Sequence, residues 1–213
     1  MRVRRVAFFR LGARVAWDVE MLPARIGPVL APLVLAVACG RAPAAPTASQ
    51  GPAPSLVGVD GSRLSWAELT KRAPLTVVVF VSATCPCMAA HRDRADALAE
   101  AYGPRGVQVI AVESDVMATP DTLAREASDY RVPLFEDQNA HLADVLGAEY
   151  ATYAAVVDRE GRIRYHGGFD SDRVTRHDDA IAYVRNALED LLAGRAPKRP
   201  EAKTLGCMLR KHR

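Results

Sequence analysis

Apolar runs and helical stripes alternate along this chain from about residue 55 to residue 194. Leu75 to Val81 is a near-continuous β-branched run, the pattern of a central strand buried on both faces. Before it, Leu56-Val57-Gly58-Val59 predicts a short strand ended by an Asp60-Gly61 turn. Ser65-Trp66-Ala67-Glu68 opens a short helix with a capping box, and Trp66 reads as a core anchor. After the run, Cys87 to Tyr102 is helix-forming, with Ala90, Ala97, Leu98 and Ala101 on its apolar side and Gly103-Pro104 as its stop. Val107 to Val112 is the next strand, and Asp121 to Tyr130 the next helix. Val132 to Glu136 is extended, and His141 to Leu146 is a short helix closed by Gly147. Tyr153 to Val157 and Arg162 to His166 flank the hairpin turn Asp158-Arg159-Glu160-Gly161. Ile181, Val184, Leu188, Leu191 and Leu192 then repeat at helical spacing, with Thr175-x-x-Asp178 as the cap and Gly194 as the end. Alternation followed by a hairpin and a last helix predicts an α/β fold: a central mixed sheet flanked by helices on both faces.

The two ends follow a different pattern. Ile26 to Ala38 is a run of small and apolar residues, too short to span a bilayer core but suited to the apolar part of an export signal. It leads into Leu35-Ala36-Val37-Ala38-Cys39-Gly40, which is similar to a bacterial lipobox, so Cys39 is expected to carry lipid. Met21 offers a second start, because Met21 to Cys39 alone has a signal layout with Arg25 as its charge. Residues 39–54 are rich in Pro and Ala and are expected to be an extended tether. The layout is then a signal segment over 1–38, a lipidated tether over 39–54, a folded domain over 55–194 and a flexible basic tail over 195–213 that carries Cys207. The expected location is the bacterial cell envelope, lipid-anchored and facing the periplasm or exterior, where disulfides persist.

Charge excludes one class of partner. Of 28 basic and 25 acidic side chains, six and two lie in residues 1–38, so the remainder is nearly neutral and carries no nucleic-acid footprint.

The candidate chemistry sits in Ser82-Ala83-Thr84-Cys85-Pro86-Cys87-Met88, where a buried strand meets the start of a helix. Helix starts gather unpaired N–H groups and partial positive charge, which favour a thiolate, the reactive form of cysteine. The plain alternative is two buried structural cysteines. With Cys39 lipidated, three thiols remain, and an odd number points to an exchanging set.

These residues carry a resemblance. The stretch 75–194 resembles the redoxin branch of the thioredoxin-like superfamily, which includes alkyl hydroperoxide reductase/thiol-specific antioxidant proteins and tethered thiol–disulfide oxidoreductases. It rests on Thr84-Cys85-Pro86, Tyr102 to Val107, Asp137 to Ala143 before Gly147-Ala148, Val156 to Ile163, and Gly206-Cys207. The resemblance implies a thioredoxin-like fold with an inserted segment at about 132–147 and Cys85 as nucleophile. Three departures stand out. Met88 occupies the usual position of the second cysteine, with Cys87 one residue earlier. Thr152 falls where the family carries a cis-proline. Val78 and Ser82 stand in the peroxidase pattern Pro-x-x-x-Thr, which keeps the hydroxyl and loses the proline.

Three chemistries follow. In thiol–disulfide exchange, Cys85 attacks and Cys87 or Cys207 resolves, with protein thiols or disulfides as substrate, a separate thiol reductant or oxidant as partner, and no cofactor required. Ser82, Thr84, Pro86 and Thr152 would support the site. In peroxide reduction, Cys85 would become a sulfenic acid, with Ser82 and one of Arg92, Arg94 or Arg164 at the peroxide. In Cu(I) handling, the weak candidate ligands are Cys85, Cys87, Met88, His91 and His166.

Overall fold

A computed structural model describes residues 54–211. The signal segment, Cys39 and the tether as far as residue 53 lie outside the described residues, as does His212.

One mixed sheet organises the chain. Its strands are β1 (Ser55–Gly58), β2 (Arg63–Ser65), β3 (Leu75–Val81), β4 (Val107–Glu113), β5 (Leu134–Glu136), β6 (Tyr153–Asp158), β7 (Ile163–Gly168) and β8 (Glu201–Ala202), in the spatial order β2-β1-β5-β4-β3-β6-β7-β8. The helices are α1 (Trp66–Thr70), α2 (Met88–Tyr102), α3 (Pro120–Ser128), α4 (His141–Leu146) and α5 (Tyr183–Leu192). β3 runs parallel to β4 and antiparallel to β6, which forms a hairpin with β7. All seven residues of β3 and all six of β6 are buried. Successive strand side chains point to opposite faces, so both faces of the sheet centre are covered. This is the expected thioredoxin-like arrangement.

β3 is the site's foundation. The chain leaves the buried end of this strand, makes a short turn and enters α2. The Ser65 capping box on α1 forms as the sequence predicts, and Trp66 is buried.

Several expectations are corrected. The buried face of α2 is Met88, His91, Ala95, Leu98 and Tyr102, whereas Ala97 and Ala101 are exposed. The expected cap of the last helix at Thr175 is absent. Ser171 and Ile181 close residues 171–181 into a loop, with the Ile181 N–H donating to Ser171 Oγ and the Ser171 N–H to the Ile181 carbonyl. Asp172 takes the His177 N–H inside that loop, and α5 starts only at Tyr183, leaving Ile181 exposed.

The tail expected to be flexible is docked over residues 200–211. The His166 N–H donates to the Pro200 carbonyl, and β8 then adds to β7 in parallel. Farther on, Met208 bridges Tyr150, the Leu209 N–H donates to the Glu149 carbonyl, and Leu209 is buried. Lys211 pairs with Asp144 and Glu149. Basic side chains of the tail are therefore partly spent on holding it to the domain.

Candidate active site

Three sulfurs meet where β3 ends. The Cys85 N–H closes a turn onto the Ser82 carbonyl, and the Cys85 carbonyl accepts from Met88 N–H as the helix begins. Cys87 is the N-cap of α2 and Cys85 lies two residues before it, with Pro86 exposed between them. Cys85 and Cys87 are buried, Cys207 is half-buried, and all three are free thiols. The Cys85 and Cys207 sulfurs are 2.7 Å apart, and the three sulfurs all lie within 4.8 Å of one another. A disulfide bond is about 2.05 Å long, so the Cys85–Cys207 pair is nearly at bonding distance. The sequence left Cys87 and Cys207 open as partners of Cys85, and the structure brings both to it.

Backbone fit places the third sulfur. The Ala151 N–H donates to the Cys207 carbonyl at 2.8 Å. Gly206 crosses the same segment, and a Cβ on it would meet the Ala151 carbonyl oxygen. Only glycine allows that approach.

Thr152 is the next residue, at the position where the resemblance leads one to expect proline. The described residues contain no cis peptide bond, and Thr152 has φ +70°. A β-branched residue in the left-handed region is strained, and such strain persists only where the surroundings enforce it. Here the Thr152 N–H donates to the Phe80 carbonyl, and its own carbonyl accepts from Phe169 N–H. The loop is thus tied to β3 by a donor that proline lacks.

Burial acts on two of the thiols. Burial, followed by the Cys85 sulfur, pushes the Cys207 thiol up to about 12. Burial and then Cys85 also raise Cys87, with the positive charge of Arg173 acting the other way. Two of the three thiols therefore hold their protons more tightly than a free cysteine does.

A polar network flanks the cluster. Ser82 Oγ is 3.2 Å from Thr84 Oγ1 and donates to Asp115 Oδ2 at 3.4 Å. Arg210, from the tail, donates to the same Asp115 oxygen and to Thr84 Oγ1. The hydroxyl expected at a peroxide is thus buried and already engaged. The arginines named from the sequence are also committed elsewhere: Arg92 to Asp129, Arg94 to Asp170 and Asp172, and Arg164 to Asp158. Arg210 is the arginine joined to the loop that carries Cys85. Its sequence position after Cys207 was the available signal.

Sequence reasoning also missed the acid beneath the loop. Glu113, at the end of β4, is fully buried and accepts the Ala83 and Asp115 N–H groups. Burial pushes its carboxyl up to about 8 against those two bonds, and neighbouring Glu126 and Asp115 add to the rise.

The copper candidates divide. His91 is buried with Nδ1 at the Cys87 carbonyl and Nε2 at Asp170, so neither ring nitrogen faces the sulfurs. His166 stacks on Tyr153. Neither belongs to the sulfur cluster, although Met88 is buried at its edge in sequence.

Residues 43–181 match the family model described as Redoxin. A solved structure of an uncharacterized conserved protein from Geobacillus kaustophilus is similar at 24% identity and a TM-score of 0.67, covering 78% of this chain and 93% of that one. A hypothetical protein, SMc02350 from Sinorhizobium meliloti 1021, is similar at 25% identity and a TM-score of 0.66, covering 79% and 97%. No curated protein matches the sequence.

Proposed function

This chain belongs to the Redoxin family of thiol oxidoreductases, and we propose that it carries out thiol–disulfide exchange with Cys85 as nucleophile and Cys207 as resolving thiol. The observation that carries this reading is the 2.7 Å separation of the two sulfurs. The Cys85 thiolate attacks one sulfur of a substrate disulfide. A mixed disulfide forms, and the other substrate sulfur leaves as a thiolate. Cys207 then gives up its proton and attacks Cys85, and the second substrate thiolate leaves. Two electrons pass to the substrate, and the chain retains a Cys85–Cys207 disulfide. A separate thiol reductant restores the dithiol; run backwards, the same steps oxidise a substrate dithiol. Cys87 lies close enough to take Cys207's place on Cys85, so the disulfide can shift within the cluster.

The tail acts as a built-in resolving arm. Its docking keeps the resolving thiol beside the nucleophile at high effective concentration. We further propose that the domain works outside the cytoplasm, held to a membrane by lipid on Cys39. The apolar run ending in the lipobox-like segment supports that location. Among the described residues no helix is long and apolar enough to cross a membrane.

Trapping tests the exchange reading. In Cys207→Ser, with Cys87 also replaced by Ser, an aromatic model disulfide should leave one mixed disulfide on Cys85, found by mass spectrometry. Label on no cysteine of the cluster would overturn the assignment. For the anchor, Cys39→Ser should release the protein from membranes, and unchanged retention would count against lipidation.

A further inference from the structure

We propose that the fully reduced cluster is also a binding site for a single Cu(I) ion, held by Cys85, Cys87 and Cys207. Exchange uses two sulfurs at a time, yet three converge. Among the described residues no His, Asp or Glu donor atom joins them in the group. An all-sulfur set of three is a soft, low-coordinate site. That selects Cu(I) over Zn(II), which takes four ligands in its structural sites.

Geometry fits a trigonal site. Metal–sulfur bonds of about 2.3 Å in one plane would set the sulfurs about 4 Å apart. The sulfurs already lie within 4.8 Å of one another, and the close Cys85–Cys207 pair has to open. Two of the three ligands are buried, which limits access by water and competing chelators. The third is positioned by its backbone, through the Ala151 N–H bond to the Cys207 carbonyl. This set differs from the one the sequence suggests. The tail supplies the third ligand, and His91 is spent on the Cys87 carbonyl and Asp170.

Binding balances without electron transfer. Each sulfur binds as a thiolate, so every ligand that starts as a thiol releases its proton to solvent, and the three thiolates with one Cu(I) carry two negative charges. Arg173, whose charge acts on Cys87, offsets part of that. Oxidation to a Cys85–Cys207 disulfide removes two ligands, so the copper-loaded and disulfide states exclude each other.

The test is an anaerobic Cu(I) titration of the reduced full chain bearing Cys39→Ser, in competition with bicinchoninate. One Cu(I) per chain is expected, retained in excess Zn(II) and absent from the disulfide form. Cys207→Ser should weaken binding by at least about tenfold. X-ray absorption on the copper-loaded chain should give three sulfur neighbours and no nitrogen, a readout that does not depend on any variant folding. Two sulfurs, a nitrogen neighbour, or equal affinity in Cys207→Ser would overturn the proposal. Exchange activity is measured on metal-free protein, so failure here leaves the exchange mechanism standing.

Discussion

A Cβ placed on Gly206 would lie 1.6 Å from the carbonyl oxygen of Ala151. This close approach, one residue before Cys207, sets the tail's resolving sulfur against Cys85. Gly206→Ala should therefore lift the tail from the domain while leaving the β3–β4–β6 core folded. Formation of the Cys85–Cys207 disulfide is expected to slow by about tenfold or more, since a tethered partner loses its effective concentration. Mass spectrometry with time-resolved alkylation reads this directly: Cys207 should label faster than in the parent chain. Equal labelling rates would show that the contact does not hold the tail.

Arg210 is another of the tail's attachments. Its side chain is half-exposed, yet it donates to the buried carboxylate of Asp115 and to Thr84 beside Cys85. An exposed ion pair alone is worth about 0–1 kcal/mol. Leaving Asp115 with only its weaker partners adds to the loss, so Arg210→Ala should cost about 1–2 kcal/mol in denaturant unfolding. Loosening the tail that packs its Cys207 against the buried Cys85 should also open Cys85 to reagent, making it several-fold more reactive toward iodoacetamide through access rather than charge. Unchanged stability together with unchanged reactivity would remove Arg210 from the site.

Replacing Thr152 by the family's proline should not repair the loop. The residue sits at φ +70°, and its N–H donates to Phe80. Proline fixes φ near −65° and has no N–H, so Thr152→Pro should destabilise by about 3 kcal/mol or more. Chemical denaturation measures the loss. A proline variant as stable as the parent would mean that this loop readily adopts the family's form.

Glu113 gives the fold a pH signature. Its carboxyl titrates near 8 when folded, against 4.5 for an ordinary glutamate. Between those values the native state binds more protons than the unfolded chain. Stability from this group is therefore complete below about pH 4.5 and is lost as pH rises toward 8. Its share of the change is on the order of 3–5 kcal/mol. Glu113→Gln removes the titration, though it also costs one of the two N–H bonds. Unfolding at pH 5, 7 and 9 should show a smaller fall for Glu113→Gln than for the parent. Parallel curves would place the titration elsewhere.

The sequence made the sheet's centre readable because β3, β4 and β6 are apolar runs whose burial matches their composition. The capping box at Ser65 and the turn at Asp158 were readable because short-range chemistry decides them. The cysteine pair declared itself through its place between strand and helix. What stayed hidden depends on distant partners. Nothing local distinguishes the stretch after Pro200 from a solvated basic tail. Its path is decided by Gly206 against Ala151 and by Arg210 reaching Asp115. His91 invited a ligand role because the sequence does not show Asp170, far along the chain, filling one of its nitrogens. Glu113 looked like an ordinary strand end until burial and two backbone N–H groups surrounded it.

The account rests on Cys207 being the thiol that closes on Cys85, which disulfide mapping of the parent chain tests most directly. The reduced protein is given one equivalent of a small disulfide, quenched with acid and digested. The account predicts a Cys85–Cys207 linkage as the first intramolecular product, with Cys87 still free to alkylate. A Cys85–Cys87 linkage formed first, with Cys207 alkylated throughout, would contradict it.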